Sequence, residues 1–297
     1  MEKIHFILLT GMIVFFFAQK ASSQDTTDLI GELEKENMQK TTYAEATFKT
    51  TRIVDGQSVM NLPAHVLDVR ISHRFGPVSS GLYNLFGLDN ASMRLGFDYG
   101  ITNYFMIGVG HSTYQKTYDA FFKFKILRQS KGEVTMPFTL SFLSIAAVNT
   151  LRQSNLVKTS FGDRFSYVYQ LLIGRKFSEG FALQIMPTYI HADSISFDHS
   201  KRDMVAMGIG GRYRLSKRVN FNFEYYYQLP GEQSRGAHNV FSFGVDLGTG
   251  GHVFQLYFTN SNGLTEKSFI TETTGKWEKR NIMFGFNISR VFQLKKK

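Results

Sequence analysis

The sequence predicts an all-β protein, an antiparallel transmembrane β-barrel of about twelve strands with a short N-terminal periplasmic segment. Three observations carry that prediction. Apolar side chains alternate with polar or small ones over segments of about ten residues, most plainly in residues 203–258. The connections between segments alternate between short and long, as the two ends of such barrels do. Residues 1–23 have the make-up of an export signal, and no later stretch approaches the ~18 apolar residues of a spanning helix.

In residues 203–258, Val205, Met207, Ile209, Tyr213 and Leu215 share one face, against Met204, Ala206, Gly208, Gly210, Arg212 and Arg214. The pattern restarts after Ser216-Lys217-Arg218 with Val219, Phe221, Phe223, Tyr225 and Tyr227, and again with Phe241, Phe243, Val245 and Leu247. Gly248-Thr249-Gly250-Gly251 then turns the chain into Phe254, Leu256 and Phe258. A soluble sandwich would bury the greasy face against a second sheet; strands this long, with a small opposite face, suit a wall between lipid and a lumen.

Taken in order, residues 1–23 carry Lys3, apolar runs broken by His5, Thr10 and Gly11, and a closing Ala21-Ser22-Ser23, which reads as a secretory signal peptide cut before Gln24. A transmembrane anchor is the alternative, and the breaks speak against it. The chain has no cysteine, which excludes a disulfide framework, a thiolate metal site and a lipid-anchoring cysteine. Residues 24–62 form the periplasmic segment or a plug. Within them residues 47–53 have strand propensity yet are polar on both faces, and Asp55-Gly56 makes a turn. This stretch is too polar to face lipid, so it closes the periplasmic mouth, enters the lumen or pairs with a strand edge.

Residues 63–297 form the barrel. Strands are expected at 66–75, 91–100, 104–112, 117–127, 133–145, 163–177, 180–191, 203–215, 219–229, 239–247, 252–259 and 280–292. By parity, outward residues include Leu67, Ile71, Phe75, Leu95, Phe97, Ile107, Phe122, Phe138, Leu140, Phe142, Tyr169, Ile185, Phe284, Phe286 and Ile288. Tyr99, Tyr118, Tyr189, Tyr213 and Tyr227 fall near strand ends, where aromatic girdles sit. The inward face gives a lumenal charge set: Asp68, Arg70, Arg74, Arg94, Asp98, Lys123, Lys125, Arg212, Arg214, Glu224 and Asp246. An even strand count places both termini in the periplasm. Aromatic residues late in the final strand, up to Phe292, suit recognition by barrel-assembly machinery, although the basic tail 295–297 follows them.

Composition points the same way. Aromatic residues make up 15% of the chain and Pro is scarce at 5, while a mean hydropathy of -0.16 is what alternating strands average to. The formal charge of +10 is dispersed along strands and loops rather than gathered in one patch. Its expected partners are therefore the phosphates of outer-membrane lipid, and no nucleic acid.

Residues 47–53 with Gly56-Gln57-Ser58-Val59, then residues 68–76, then Asn84-Leu85-Phe86-Gly87-Leu88-Asp89-Asn90 together resemble a membrane-bound outer-membrane β-barrel family of Bacteroidota. The specific likeness covers residues 47–102. It implies an outer-membrane barrel of a Gram-negative bacterium, and it carries over neither an activity nor catalytic residues.

Three constellations bear on chemistry. The lumenal charges, above all Asp68, Arg70, Arg94 and Asp98 on consecutive strands, act as a selectivity ring for a solute or as a self-neutralising network in a narrow barrel. His191, Asp193, Asp198 and His199 share one external connection and pair imidazole with carboxylate, but a solvated loop accounts for them, and no metal is expected. His73 and His111 point outward near the external rim while Ser72 and Ser112 point inward, so no activated Ser–His pair forms and no enzyme activity or cofactor is expected. Gly208-Ile209-Gly210-Gly211 lies in a strand with no helix after it and is not a nucleotide loop. Three functions follow in order: passage or binding of a small anionic solute, a closed structural barrel that docks a periplasmic protein, and a lipid-modifying barrel enzyme.

Overall fold

The computed structural model describes residues 40–152, 160–192, 203–231 and 236–295. The signal peptide, residues 24–39, and Asp193, Asp198 and His199 lie outside them. Twelve strands close into one antiparallel barrel: β1 (Val66–Pro77), β2 (Ala91–Gly100), β3 (Phe105–Ser112), β4 (Thr117–Leu127), β5 (Thr139–Asn149), β6 (Phe165–Lys176), β7 (Phe181–Ala192), β8 (Asp203–Arg214), β9 (Val219–Gln228), β10 (Val240–Thr249), β11 (His252–Thr259) and β12 (Met283–Gln293). Each pairs with the next, and β12 closes on β1, with Ile288 opposite Ile71. Closure leaves no strand edge with unpaired backbone groups, the condition for crossing a bilayer with strands. Residues 40–42 and 131–135 belong to a second unit, in which the Val134 amide donates to Thr41 Oγ1 at 3.2 Å.

Parity holds around the wall. Ile71, Leu95, Phe97, Ile107, Phe122, Tyr169 and Ile185 are exposed on the outside, and Asp68, Arg70, Arg94 and Lys123 are buried inside. The outer aromatics pack across strands, with Phe75 stacked on Phe284 (centroids 5.9 Å) and Phe122 tilted against Phe142 (6.0 Å). Cross-strand pairs of this kind add to the register that alternation sets.

One strand is displaced from the sequence expectation. The span 133–145 becomes β5 at Thr139–Asn149, so Phe138 precedes the strand. Pro137 has no N–H to give a ladder, and Ser130 and Met136 pair with each other instead, by reciprocal amide bonds of 3.0 and 3.1 Å. The β4–β5 connection is therefore a small ribbon rather than a tight turn. The faces keep the expected parity, with Leu140 and Phe142 outward and Leu143 and Ile145 buried inside, and the extension to Asn149 adds Ala147 to the inner face.

The end that holds the start of β1 also holds the connections after β2, β4, β6, β8 and β10; we call it the turn end. The opposite, loop end carries the longer connections, apart from the short link 113–116 between β3 and β4. Residues 260–282 are the exception to a purely external loop. Residues 260–273 fold back into the lumen around a short helix, α1 (Glu266–Thr271), capped by Thr265 and Ser268, before the chain returns to the outside. Glu266, Ser268, Phe269, Ile270 and Thr271 are all buried.

Candidate functional site: a hairpin held in the lumen

The chain enters the lumen from the turn end, turns at Val54-Asp55 and returns to start β1. The turn is closed by Ile53 N–H to Gly56 O (2.9 Å) and Ser58 N–H to Thr51 O (2.8 Å). From Thr47 to Val59 every residue but Lys49 is buried. Such a segment loses water at every peptide group, so each must find a partner in the wall.

The wall supplies them. Glu224 on β9, fully buried, accepts the amides of Val54 (3.2 Å), Asp55 (2.8 Å) and Gly56 (3.1 Å), three successive donors converging on one carboxylate. Gln255 donates to Ile53 O at 3.0 Å and Asn287 to Val54 O at 3.1 Å. Asp55 forms a buried ion pair with Arg74 and accepts from Ser242 Oγ at 2.9 Å. On the returning leg the Lys123 ammonium donates to Gln57 Oε1 (3.0 Å), Ser58 O (3.0 Å) and Met60 O (2.7 Å), which uses all three of its donors. Gln184 brackets the same leg, accepting from Val59 N–H at 2.7 Å and donating to Gln57 O at 2.8 Å. Nearer the mouth Arg212 donates to Ala46 O at 2.8 Å.

Apolar packing completes the seat. Gly174 and Gly210 leave room on the inner wall: a Cβ there would lie 2.7 Å from Val59 and 2.6 Å from Ile53, respectively. The inward loop meets the hairpin from the other side. Arg52 pairs with Glu266 at 2.9 Å, and Arg74 also donates to the carbonyls of Ser261 (2.9 Å) and Gly263. Phe269 lies against Tyr226 at 5.4 Å between centroids. Arg74 thus holds both inserts at once.

The remaining lumenal charges are distributed as follows. Asp68 accepts from Ser289 (2.6 Å) and pairs with Arg70 (3.3 Å), which also reaches Gln255 and Thr51. Arg94 forms a two-bond pair with Asp119 at 2.9 and 2.5 Å rather than with Asp98. Asp98 faces Thr51 at 3.5 Å, and Asp246 accepts from Gln255 at 2.8 Å. Arg214 lies at the turn rim with Glu179 (3.1 Å), and Lys125 is half-buried near the same rim. Sequence reasoning left out Asp55, Asp119, Arg52 and Glu266. Parity alone would have found Asp119, two residues from the inward Thr117 and Phe121. The other three sit on the inserts, where no alternation points to them.

Outside the barrel, His73 stacks on Phe286 (4.9 Å) and His111 packs on Tyr118 (4.3 Å), while Ser72 and Ser112 are buried on the inner face. Trp277, beyond α1, lies against Phe241 and Phe243 of the outer wall, each at 5.6 Å. Among the described residues no group of three or more His, Asp or Glu is placed to hold a metal ion.

The family model described as "Membrane bound beta barrel domain (DUF5777)" matches residues 48–292, from inside the hairpin to the end of β12. The chain belongs to this membrane-bound barrel family. The match runs well past the residues 47–102 on which the sequence resemblance rested, and it treats hairpin and barrel as one unit. No curated protein matches the chain in sequence. Among solved structures the chain is similar to the NanC porin (11% identity, 76% of this chain and 98% of that one, TM-score 0.47). It is also similar to the KdgM porin (8%, 76% and 99%, 0.48) and to Omp33 of Acinetobacter baumannii (8%, 77% and 98%, 0.42). Likeness this distant carries no argument about what any of these barrels binds or passes.

Proposed function

We propose that this protein is a closed outer-membrane barrel of a Gram-negative bacterium, exported by a cleaved signal peptide, whose lumen serves as a seat for its own N-terminal hairpin. The observation that carries this reading is the junction at Arg74, where the hairpin from the turn end and the loop from the loop end meet on one side chain. A water-filled channel does not need two inserts that satisfy each other's buried charges. With the hairpin fixed, Ala44, Glu45 and Ala46 stand at the turn end, where a periplasmic protein partner can dock. Barrel-assembly machinery and outer-membrane lipid are the other partners this reading requires.

Passage of a small anion is the second reading. It is favoured by the excess of inward Arg70, Arg74, Arg94, Lys123, Lys125, Arg212 and Arg214 over Asp68, Asp98, Asp119, Glu224 and Asp246, since a narrow low-dielectric lumen focuses even a small excess. It requires the hairpin to leave. Conductance in planar bilayers tests both readings. The full chain should be silent. A variant lacking residues 24–61 that assembles normally should stay silent under the docking reading, and should conduct with anion preference under the gated one. Steady conductance by the full chain would sink the closed barrel.

A further inference from the structure

Beside the hairpin's outgoing leg, at the turn end, lies a cavity of about 430 Å³. That is the size of a small-molecule site. Its walls come from residues 44–47 and 59–63 on one side and from the ends of β2, β4 and β5 on the other. Two cations line it. The ammonium of Lys125, inward on β4, has no hydrogen-bond or ion-pair partner among the described residues. Arg128, one residue beyond β4, lines it too and stands over the Tyr43 ring at 4.2 Å. The acid of the lining, Glu45, is exposed.

A second observation points to a ligand independently of charge. Asn61 lines the same cavity, and both its Nδ2 and its Oδ1 are buried with no partner among the described residues. A buried amide that satisfies neither its donor nor its acceptor is costly, and native structures rarely keep one without a role. Val59, Met60 and Leu62 supply apolar surface around it. The neighbouring cavity, about 480 Å³ across the same leg, shares Asn61 and its neighbours Met60, Leu62 and Pro63, but its lining includes the buried carboxylate of Asp68, which the first cavity lacks.

We propose that the turn-end cavity binds a small organic anion, a carboxylate or phosphate group on an apolar body, with Lys125 as its principal cation and Asn61 as its hydrogen-bonding partner. The cavity is present with the hairpin in its seat, so the site does not rest on whether the barrel ever opens. Bound there, the anion bridges the leg to β4 and fixes the hairpin further in its seat.

The test uses the full chain in lipid nanodiscs, titrated calorimetrically with benzoate, benzyl alcohol and inorganic phosphate. Benzoate should saturate one site. Benzyl alcohol, without the charge, and phosphate, without the apolar body, should each bind at least about tenfold more weakly, the loss expected for one charge-assisted contact. Lys125→Met should weaken benzoate by a similar factor, and Glu45→Gln, on an exposed side chain, should tighten it. Absence of saturable benzoate binding overturns the proposal. So does equal binding of benzyl alcohol or of phosphate, and so does an affinity unchanged in both variants.

Discussion

The two sides of the lumen differ in kind. The inner faces of β1 to β4 carry Asp68, Arg70, Arg74, Arg94, Asp98, Asp119 and Lys123, all buried. The inner faces of β5 to β8 carry Leu143, Ile145, Val168, Leu172, Met186, Ile190 and Met204, equally buried. An aqueous pore would leave the second face wet at a cost of roughly 25 cal/mol per Å² of apolar surface. Here Val59, Ile53 and Phe269 belong to the same buried apolar cluster as that face. The charged side, together with Glu224 opposite, grips the hairpin's backbone at fixed points. The apolar side supplies drive without direction, and the polar groups supply register. A lumen built this way is a protein core that happens to lie inside a membrane barrel.

Substitutions on the two sides should therefore fail differently. The largest effect is expected from Arg74→Met, which leaves Asp55 buried and unpaired and strips both inserts of their shared contact. The closed state should lose about 3–5 kcal/mol, read as a lower urea midpoint for the folded, heat-modifiable band on gels. Tolerance of this change would mean the inserts do not depend on the charged side. Leu172→Ala, on the apolar side, should cost about 2–4 kcal/mol through its cavity, with barrel assembly intact. A cost below about 1 kcal/mol would indicate that water already reaches that face.

Gly174→Val should cost about 1–3 kcal/mol, because its side chain would enter the space of Val59. Limited proteolysis at the turn end should then release the hairpin, while the strands stay protected. The smallest effect is expected from Gln184→Ala, which removes two hydrogen bonds to the leg. Its cost should be about 1–2 kcal/mol, with the strands still protected. A loss as large as that of Leu172→Ala would show that the polar contacts to the leg matter as much as the apolar wall.

Much of this barrel was legible because period-2 alternation is a local signal. Phe284 and Phe286 face outward and Asn287 inward as parity requires, and the strand count follows from the same pattern. β5 was displaced because Val134 and Met136 mimic alternation across a stretch that Pro137 prevents from joining the ladder. The Asp55-Gly56 turn could be read, but its seat could not, since Glu224 lies 169 residues from Asp55 and only the closed barrel brings them together. The inward loop left one readable trace, the apolar pair Phe269-Ile270 inside an otherwise polar connection. The apolar inner wall is the deepest reason for the shortfall. Parity assigns a residue to a face, but it does not say whether the space beyond that face holds water or chain.

Hydrogen exchange at the amides of Val54, Asp55 and Gly56, in the full chain in lipid nanodiscs, tests the central claim most directly. All three donate to the buried Glu224 carboxylate. They should exchange as slowly as the strand amides of β9 and β10, and Glu224→Gln should speed these three while leaving those strands unchanged. Exchange at the rate of an exposed loop in the wild type would contradict the account, because the hairpin would then not be held in the lumen.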